Sequence, residues 1–274
     1  GQFSQGKAAT ADSERITDAN YETSLRAGGG VCIAALAAAA RHPYPGSDFH
    51  TDDYMLAAKR AFALLMKNNE AYTNDGQWNL VDEYCALLAA AELYKTCGEY
   101  PYLLDAERLA DRMIARMETM ADGYPWFLSR PGEPFCHASD EGLPVVALLT
   151  LAEVDAEKRA QYLAVAEQAM WHVLAVTDAT ANPFGYARYV HRTPEGGRAQ
   201  KFFYYHQNPA APWWQGDNAR IASLASAAWK LARMTGDAKL KARLCAFAQD
   251  QINWILGLNP FDSCMVEGYG RNNI

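Results

Sequence analysis

The sequence predicts an all-α protein built as a toroid of helical hairpins, and three observations support this fold class. Alanine-rich runs such as ALAAAARH and CALLAAAELY favour closely packed helices. Apolar residues recur with the one-sided spacing of a helix, whereas the alternation typical of a half-buried strand is nearly absent. From the third helix onward, the connections alternate strictly between short and long.

Helical periodicity divides the chain into eight segments whose ends are defined to within about 2 to 4 residues. The predicted helices are 27–41, 51–69, 78–97, 101–119, 139–153, 156–176, 215–235 and 238–257. No linker composition interrupts this pattern, so residues 1–274 are expected to form one domain. Within it, 1–20 is a loop, 21–257 forms the hairpins and 258–274 is a C-terminal loop.

The long connections are 120–138, 177–214 and the segment after Gly257. Alternate connections of antiparallel hairpins lie at opposite ends of the stack, so these three should gather on one rim. They carry many aromatic residues and are not of disordered composition. Loops of this length in a compact domain are usually functional, so the rim is the predicted site.

Two local patterns receive structural interpretations. The glycines Gly28, Gly29 and Gly30 lack the spacing and the preceding strand of a phosphate-binding loop, so they should permit close packing near a helix start. The acids of HTDDYML follow Thr51, which predicts a capped helix start rather than a catalytic carboxylate pair.

The net charge is −7, and the basic residues are scattered, which argues against nucleic acid or an anionic membrane surface as a partner. No stretch approaches the ~20 apolar residues of a transmembrane helix. The N-terminal residues contain no hydrophobic signal core. A bacterial cytoplasmic or periplasmic location is favoured, and the oligomeric state is left open.

Cysteine and histidine patterns do not indicate a cofactor or a metal. The six cysteines form no CxxC pair, and most lie in apolar helical runs, so buried free thiols are expected. His137, His191 and His206 lie in long loops without the spacing of a metal-binding motif.

Two rim segments, ASDEGLPV and WWQGDNAR, combine acids with polar side chains, and the second adds tryptophan. Aromatic rings stack on the C–H faces of sugars, and polar groups pair with hydroxyls, so the rim suits a small oligosaccharide. The candidate substrate-binding residues are Trp126, Asp140, Glu141, His206, Trp213, Trp214, Asp217, Asn218, Tyr269 and Arg271.

Each candidate also has a structural alternative. An acid in the first turn of a helix offsets its dipole, which accounts for Asp140, Glu141 and Asp217 with Ser139 as a cap. Adjacent residues of an extended segment point in opposite directions, so one tryptophan of the pair should pack inward while the other can face a ligand.

The segment DQINWILGLNPFDSCMVEGYGRNN (250–273) resembles a recurrent segment of glycoside hydrolase family 9, in which Leu-Gly-x-Asn-Pro leads to a Val-x-Gly-x-Gly loop. LRAGGGVCIAALAAAAR and WWQGDNARIASLASAA resemble helices of the same family, particularly of its bacterial branch acting on short cello- or chito-oligosaccharides. The resemblance covers most of the chain from about Tyr21. The matching residues of the C-terminal motif are Leu256, Gly257, Asn259, Pro260, Val266, Gly268, Gly270 and Arg271.

This resemblance implies an (α/α)6 barrel of six hairpins, of which eight helices supply about four. It also implies inverting hydrolysis of β-1,4-linked glucose or glucosamine, in which two carboxylates roughly 6.5 to 9.5 Å apart flank the bond. The family's Asp-Ala-Gly-Asp-type motif, which supplies the base, has no counterpart in these 274 residues. The same is true of the Glu that serves as the general acid near the end of the family's domain. No catalytic residue is therefore assigned, both are expected outside the sequence, and the segment alone is expected to be inactive.

Two alternatives remain open. One is a non-catalytic carbohydrate-binding toroid that has lost its acids. The other is a different toroidal enzyme such as a sugar epimerase, which would usually offer paired histidines on the rim.

Overall fold

A computed structural model describes residues 23–203 and 217–273. All eight predicted helices occur in these ranges, preceded by a short π-helical segment, Leu25–Gly29. The α-helices are Gly30–Arg41 (α1), Thr51–Tyr72 (α2), Leu80–Cys97 (α3), Tyr100–Ile114 (α4), Leu143–Val154 (α5), Arg159–Asp178 (α6), Asp217–Ala232 (α7) and Ala238–Ile255 (α8).

The long connections contain short antiparallel strands that the sequence reading did not anticipate. Strands β1, β2 and β3 form one sheet in chain order, and β4 pairs with β5. Runs of two to six residues are too short for alternation to be recognised, which is why they were missed. The strands are Met117–Thr119 (β1), Pro125–Arg130 (β2), Glu133–Pro134 (β3), Tyr189–Arg192 (β4) and Arg198–Lys201 (β5).

The predicted helix 101–119 extends too far. Helix α4 ends at Ile114, and Met117–Thr119 instead pairs with the start of β2. Gly123, at a φ of +87°, lies in the turn that closes this hairpin. The predicted helix 139–153 likewise begins later, at Leu143, so Ser139 lies in the preceding turn and does not cap it.

The described residues divide into two compact units. The first unit lies within Gly1–Ala115 and Thr150–Arg159, and the second within Arg116–Leu149 and Ala160–Ile274. In the first unit, α1 packs on α2 and on α3, which also packs on α4. In the second unit, α7 packs on α8.

A buried arginine organises the first unit. Arg26 lies on the π-helical segment, where its guanidinium is 2.7 Å from Asp82 of α3 and 3.2 Å from Asp75. Asn69 of α2 donates a hydrogen bond to Asp82 at 2.9 Å. Together these contacts join α2, α3 and the chain that enters α1.

The acids of HTDDYML are structural, as expected, but the cap is one residue earlier. Helix α2 begins at Thr51, and the N-cap is His50, whose backbone N–H donates to the Asp53 carboxylate at 3.0 Å. Asp53 thereby satisfies one of the donors left open at the helix start.

The cysteines are less buried than expected. All six are free thiols, but only Cys85 and Cys264 are buried, while Cys32 and Cys245 are exposed on α1 and α8. An amphipathic helix places some positions of an apolar run at the surface. Among the described residues, no helix has the length and apolar character needed to cross a bilayer.

Two of the three glycines in the triplet pack closely, as predicted. A Cβ added to Gly30 would lie 2.7 Å from the backbone of Cys85, and one added to Gly29 would lie 2.8 Å from the carbonyl oxygen of Ser24. Gly28 has a φ of +105° and supplies the bend instead. Helix α1 therefore approaches α3 at a distance that only glycine allows.

We expect Gly30→Ala to lower the free energy of unfolding by about 1–3 kcal/mol, because the added methyl group forces α1 away from α3. Urea denaturation followed by circular dichroism measures the change. Gly236→Ala is the matched control, since its Cβ would meet nothing within 4 Å. An equal loss of stability in both variants would contradict the close-packing explanation.

Candidate functional site

The second unit is organised around Arg220, the fourth residue of α7, whose side chain is fully buried. Its Nε donates to the Asp217 carboxylate at 2.7 Å and its Nη1 to Glu141 at 2.8 Å. Its Nη2 donates to the carbonyl oxygens of Ala187 and Phe202, at 2.8 and 3.1 Å. One guanidinium thus joins the turn before α5, two parts of the connection 179–216 and the start of α7.

Two tyrosines surround the guanidinium. Its carbon lies 5.5 Å from the ring centre of Tyr186 and 5.2 Å from that of Tyr189, distances typical of cation–π contact. The Tyr186 hydroxyl donates a short hydrogen bond to the second oxygen of Asp217. We call Glu141, Tyr186, Tyr189, Asp217 and Arg220 the Arg220 cluster.

Burial and charge set the protonation of the cluster. Burial raises the pKa of Glu141 to about 7, although Arg220 opposes this shift. Burial raises the pKa of Tyr186 and of Tyr189, so both stay neutral donors. Burial alone would lower the pKa of Arg220, but Asp217 and Glu141 raise it well above its ordinary value.

A histidine shapes the turn that carries the acids of ASDEGLPV. The Nδ1 of His137 accepts from the backbone N–H groups of Ser139 and Asp140, at 3.2 and 3.0 Å. Nδ1 is therefore unprotonated, and burial lowers the pKa of His137 well below its ordinary value. Gly142 then passes so close to α7 that a Cβ would lie 2.2 Å from the Ser223 carbonyl oxygen.

A buried amide fixes the loop that carries Tyr186. The side chain of Gln251, on α8, accepts from the N–H of Ala187 at 2.8 Å and donates to the Gly185 carbonyl at 2.7 Å. Asn182 donates to the Tyr186 carbonyl at 2.9 Å. Hydrogen bonds on both sides therefore set the position of the Tyr186 ring.

Within the second unit, Arg220 brings together Glu141 of ASDEGLPV and Asp217 of WWQGDNAR, whereas two candidates are buried. Trp126 is 1 % exposed, donates to the Phe135 carbonyl at 2.7 Å and stacks on His172. It fixes the β-hairpin to α6 and offers no face to a sugar, which corrects the prediction. Glu141 is 3 % exposed and neutralises Arg220, so it supports the site rather than lining it.

Five other candidates retain accessible surface. The side chains of Asp140 and Asp217 are 27 % and 23 % exposed. Asn218 is exposed at the start of α7, while Tyr269 and Arg271 are exposed in the C-terminal loop, where Arg271 pairs with Asp262 at 3.1 Å. His206, Trp213 and Trp214 lie outside the described residues.

Sequence reasoning missed the residues that hold the site together. Arg220 stands three positions after Asp217, a spacing that brings side chains together on a helix, so this pair was detectable. Tyr186, Tyr189 and Gln251 carry no comparable local signal, because their partners Asp217, Phe203 and Ala187 are 31, 14 and 64 residues away. Within residues 23–203 and 217–273, no three His, Cys, Asp or Glu side chains are grouped as a metal site would require.

Comparison with known proteins identifies the family. The family model described as glycosyl hydrolase family 9 matches residues 9–274, which is nearly the whole chain. The chain belongs to glycosyl hydrolase family 9. No curated protein matches this family 9 chain in a sequence search.

Solved structures share the helical fold of the family 9 chain. The cellulase Cel9M of C. cellulolyticum, in complex with cellobiose, aligns with a TM-score of 0.59 and 18 % identity over 91 % of this chain and 48 % of its own. Endoglucanase CelQ of Clostridium thermocellum, with cellotetraose, aligns with a TM-score of 0.56 and 20 % identity over 90 % and 36 %. The family 9 chain therefore spans less than half the length of either cellulase.

A structure with different chemistry is equally similar. The GH76A alpha-1,6-mannanase of Salegentibacter sp. HEL1_6 aligns with a TM-score of 0.59 and 15 % identity, over 93 % of this chain and 68 % of its own. These likenesses confirm the predicted all-α hairpin fold, and the family 9 membership rests on the family model.

We expect Arg220→Met to lower the free energy of unfolding by about 3–5 kcal/mol, because it leaves two carboxylates in the second unit without their cation. Chemical denaturation of the family 9 chain measures the loss. Arg243→Met is the control, since Arg243 forms a partly exposed pair with Asp178 worth less than ~1 kcal/mol. Similar losses in both variants would mean that Arg220 does not organise the unit.

The raised pKa of Glu141 predicts a pH dependence of stability. A carboxyl whose pKa rises from 4.5 to about 7 on folding stabilises the fold fully below 4.5 and loses this contribution as the pH rises through 7. Relative to Glu141→Gln, the wild type should therefore lose on the order of 2–3 kcal/mol between these values.

Parallel urea titrations of the two proteins from pH 4 to 8 measure this difference. The comparison removes contributions common to both, including that of His137, whose lowered pKa acts in the opposite direction. A pH-independent difference between the two curves would contradict the assignment.

Proposed function

We propose that the chain is part of an inverting glycoside hydrolase that cleaves β-1,4-linked glucose or glucosamine oligosaccharides. The family 9 match over residues 9–274 carries this proposal. The cellotetraose, in CelQ, and the cellobiose, in Cel9M, of two similar structures support a short β-glucan as the substrate class. The Arg220 cluster would form a wall of the substrate-binding site.

Asp217 is the member of the cluster best suited to contact substrate. One oxygen accepts a hydrogen bond from Arg220 and the other accepts one from Tyr186. Each carboxylate oxygen accepts more than one hydrogen bond, and the side chain retains accessible surface. It can therefore accept a hydrogen bond from a sugar hydroxyl or ammonium group.

Glu141 resembles a general acid only in its pKa. A pKa near 7 suits proton donation to a leaving group at neutral pH. However, the carboxyl is buried and bound to Arg220, so it has no surface at which a glycosidic oxygen could be placed. We infer that Glu141 positions Arg220 and that the bond-breaking carboxylates are other residues of the full-length protein.

The decisive experiment is incubation of the full-length protein with cello-oligosaccharides and chitosan oligomers, followed by ¹H NMR of the anomeric protons. Inversion releases the α-anomer first, which then equilibrates with the β-anomer. Initial release of the β-anomer would exclude the inverting mechanism. Binding without hydrolysis of any substrate would instead favour a non-catalytic carbohydrate-binding protein.

We expect Asp217→Asn to lower kcat/KM by about tenfold or more, because hydrogen bonds to a charged group contribute about 1.5–3 kcal/mol. Asp237→Asn, at the N-cap of α8, is the matched control, since its oxygen accepts only from local backbone N–H groups of Lys239 and Leu240. Unchanged kinetics in Asp217→Asn would remove this residue from the site.

A further inference from the structure

Phe203 is an exposed aromatic residue whose backbone is held by buried side chains. Phe203 is 52 % exposed, yet its carbonyl oxygen accepts a hydrogen bond from the Tyr189 hydroxyl at 3.0 Å. The preceding carbonyl, of Phe202, accepts from Arg220. Both donors belong to the Arg220 cluster, so the cluster fixes the place where the ring meets solvent.

The ring itself packs against two aromatic residues. Its centre lies 5.0 Å from that of Tyr186 and 5.9 Å from that of Trp254, with tilted planes at 49° and 50°. These contacts support the ring from the protein side and leave about half of the residue accessible.

Two chains of contacts link the Asp217 carboxylate to this ring. Tyr186 contacts the Phe203 ring with its own ring and donates its hydroxyl hydrogen to Asp217. Arg220 binds Asp217 with Nε and the Phe202 carbonyl with Nη2. A single tyrosine ring separates the aromatic surface from the carboxylate, and a pyranose is a six-membered ring of similar size.

We propose that Phe203 and Asp217 form one sugar-binding subsite. The apolar C–H face of a β-linked pyranose stacks on the Phe203 ring, while a hydroxyl or ammonium group of the same sugar donates to Asp217. Because Arg220 and the two tyrosines hold both groups in place before binding, little conformational entropy is lost on association. This inference rests on the proposed function, which it refines by naming the face of the sugar that is recognised.

Isothermal titration calorimetry of the full-length protein with cellotetraose and with chitotetraose tests the subsite. Phe203→Ala should weaken binding by about tenfold, and Phe203→Leu, which keeps apolar bulk but removes the ring plane, should weaken it similarly. Phe203→Trp should retain the affinity. Unchanged melting temperatures establish that the variants remain folded.

Phe261→Ala is the matched control. Phe261 is 63 % exposed and packs edge-to-face on Trp254, so its removal loosens the same group of aromatic rings without touching Phe203's support on Tyr186. Its affinity should equal that of the wild type. The Phe203→Ala, Asp217→Asn double variant should lose less affinity than the product of the two single losses, because both groups contact one sugar.

Four outcomes would overturn the inference. If Phe203→Leu binds as the wild type does, the contact is merely apolar and stacking is absent. If Phe261→Ala weakens binding as much as Phe203→Ala, the effect comes from loosened packing. If the single losses multiply fully, the two residues act on different sugars. If the wild type binds neither oligosaccharide, the proposed function fails first, which distinguishes the two failures.

Discussion

The second unit depends on the need to neutralise one buried cation. A guanidinium removed from water is very costly unless carboxylates and carbonyl oxygens replace its hydration. Arg220 obtains two carboxylates and two carbonyl oxygens, each from a different position along the chain. Segments that are far apart in sequence must therefore meet at one point, and two of the candidate residues, Glu141 and Asp217, lie there.

The first unit also contains a buried arginine that is neutralised by acids, but this arginine has a different structural role. Arg26 is also buried among acids, but its partners fasten the entry to α1 against α2 and α3 rather than forming a surface. The difference lies in what surrounds the guanidinium. Arg220 is flanked by two tyrosines, whose hydroxyls donate to Asp217 and to the Phe203 carbonyl. The buried cluster therefore also holds two accessible residues in place.

The sequence predicted the eight helices because their apolar spacing and alanine content are local signals. It also predicted that the long connections meet, because alternate loops of hairpins share an end. Two of them do, since β3 of the first contacts β4 of the second. It failed where long-range contacts decide the outcome. Trp126 was expected to face a ligand as a loop aromatic, but the Phe135 carbonyl of the same connection and His172 of α6 hold it in the core.

The acids show the same difference: a role set by neighbouring residues could be predicted, and a role set by a distant partner could not. Asp53 was correctly assigned to a helix start, since the partner of a cap is only three residues away. For Asp217 and Glu141, the residues nearby favoured helix capping over ligand binding without excluding either. Their actual partner, Arg220, distinguishes them by burial, leaving one carboxylate accessible and enclosing the other.

The hydrogen bonds of Arg220 also bear on how the proposed sugar preference can diverge among related proteins. Loss of Arg220 or of either carboxylate would disturb the segments that meet there, whereas the other two partners are backbone carbonyls. Asn218 and Phe203 border the cluster and are exposed, so their side chains can be exchanged without disturbing the buried network. The buried network of Arg220 can therefore stay the same while the exposed residues beside it change.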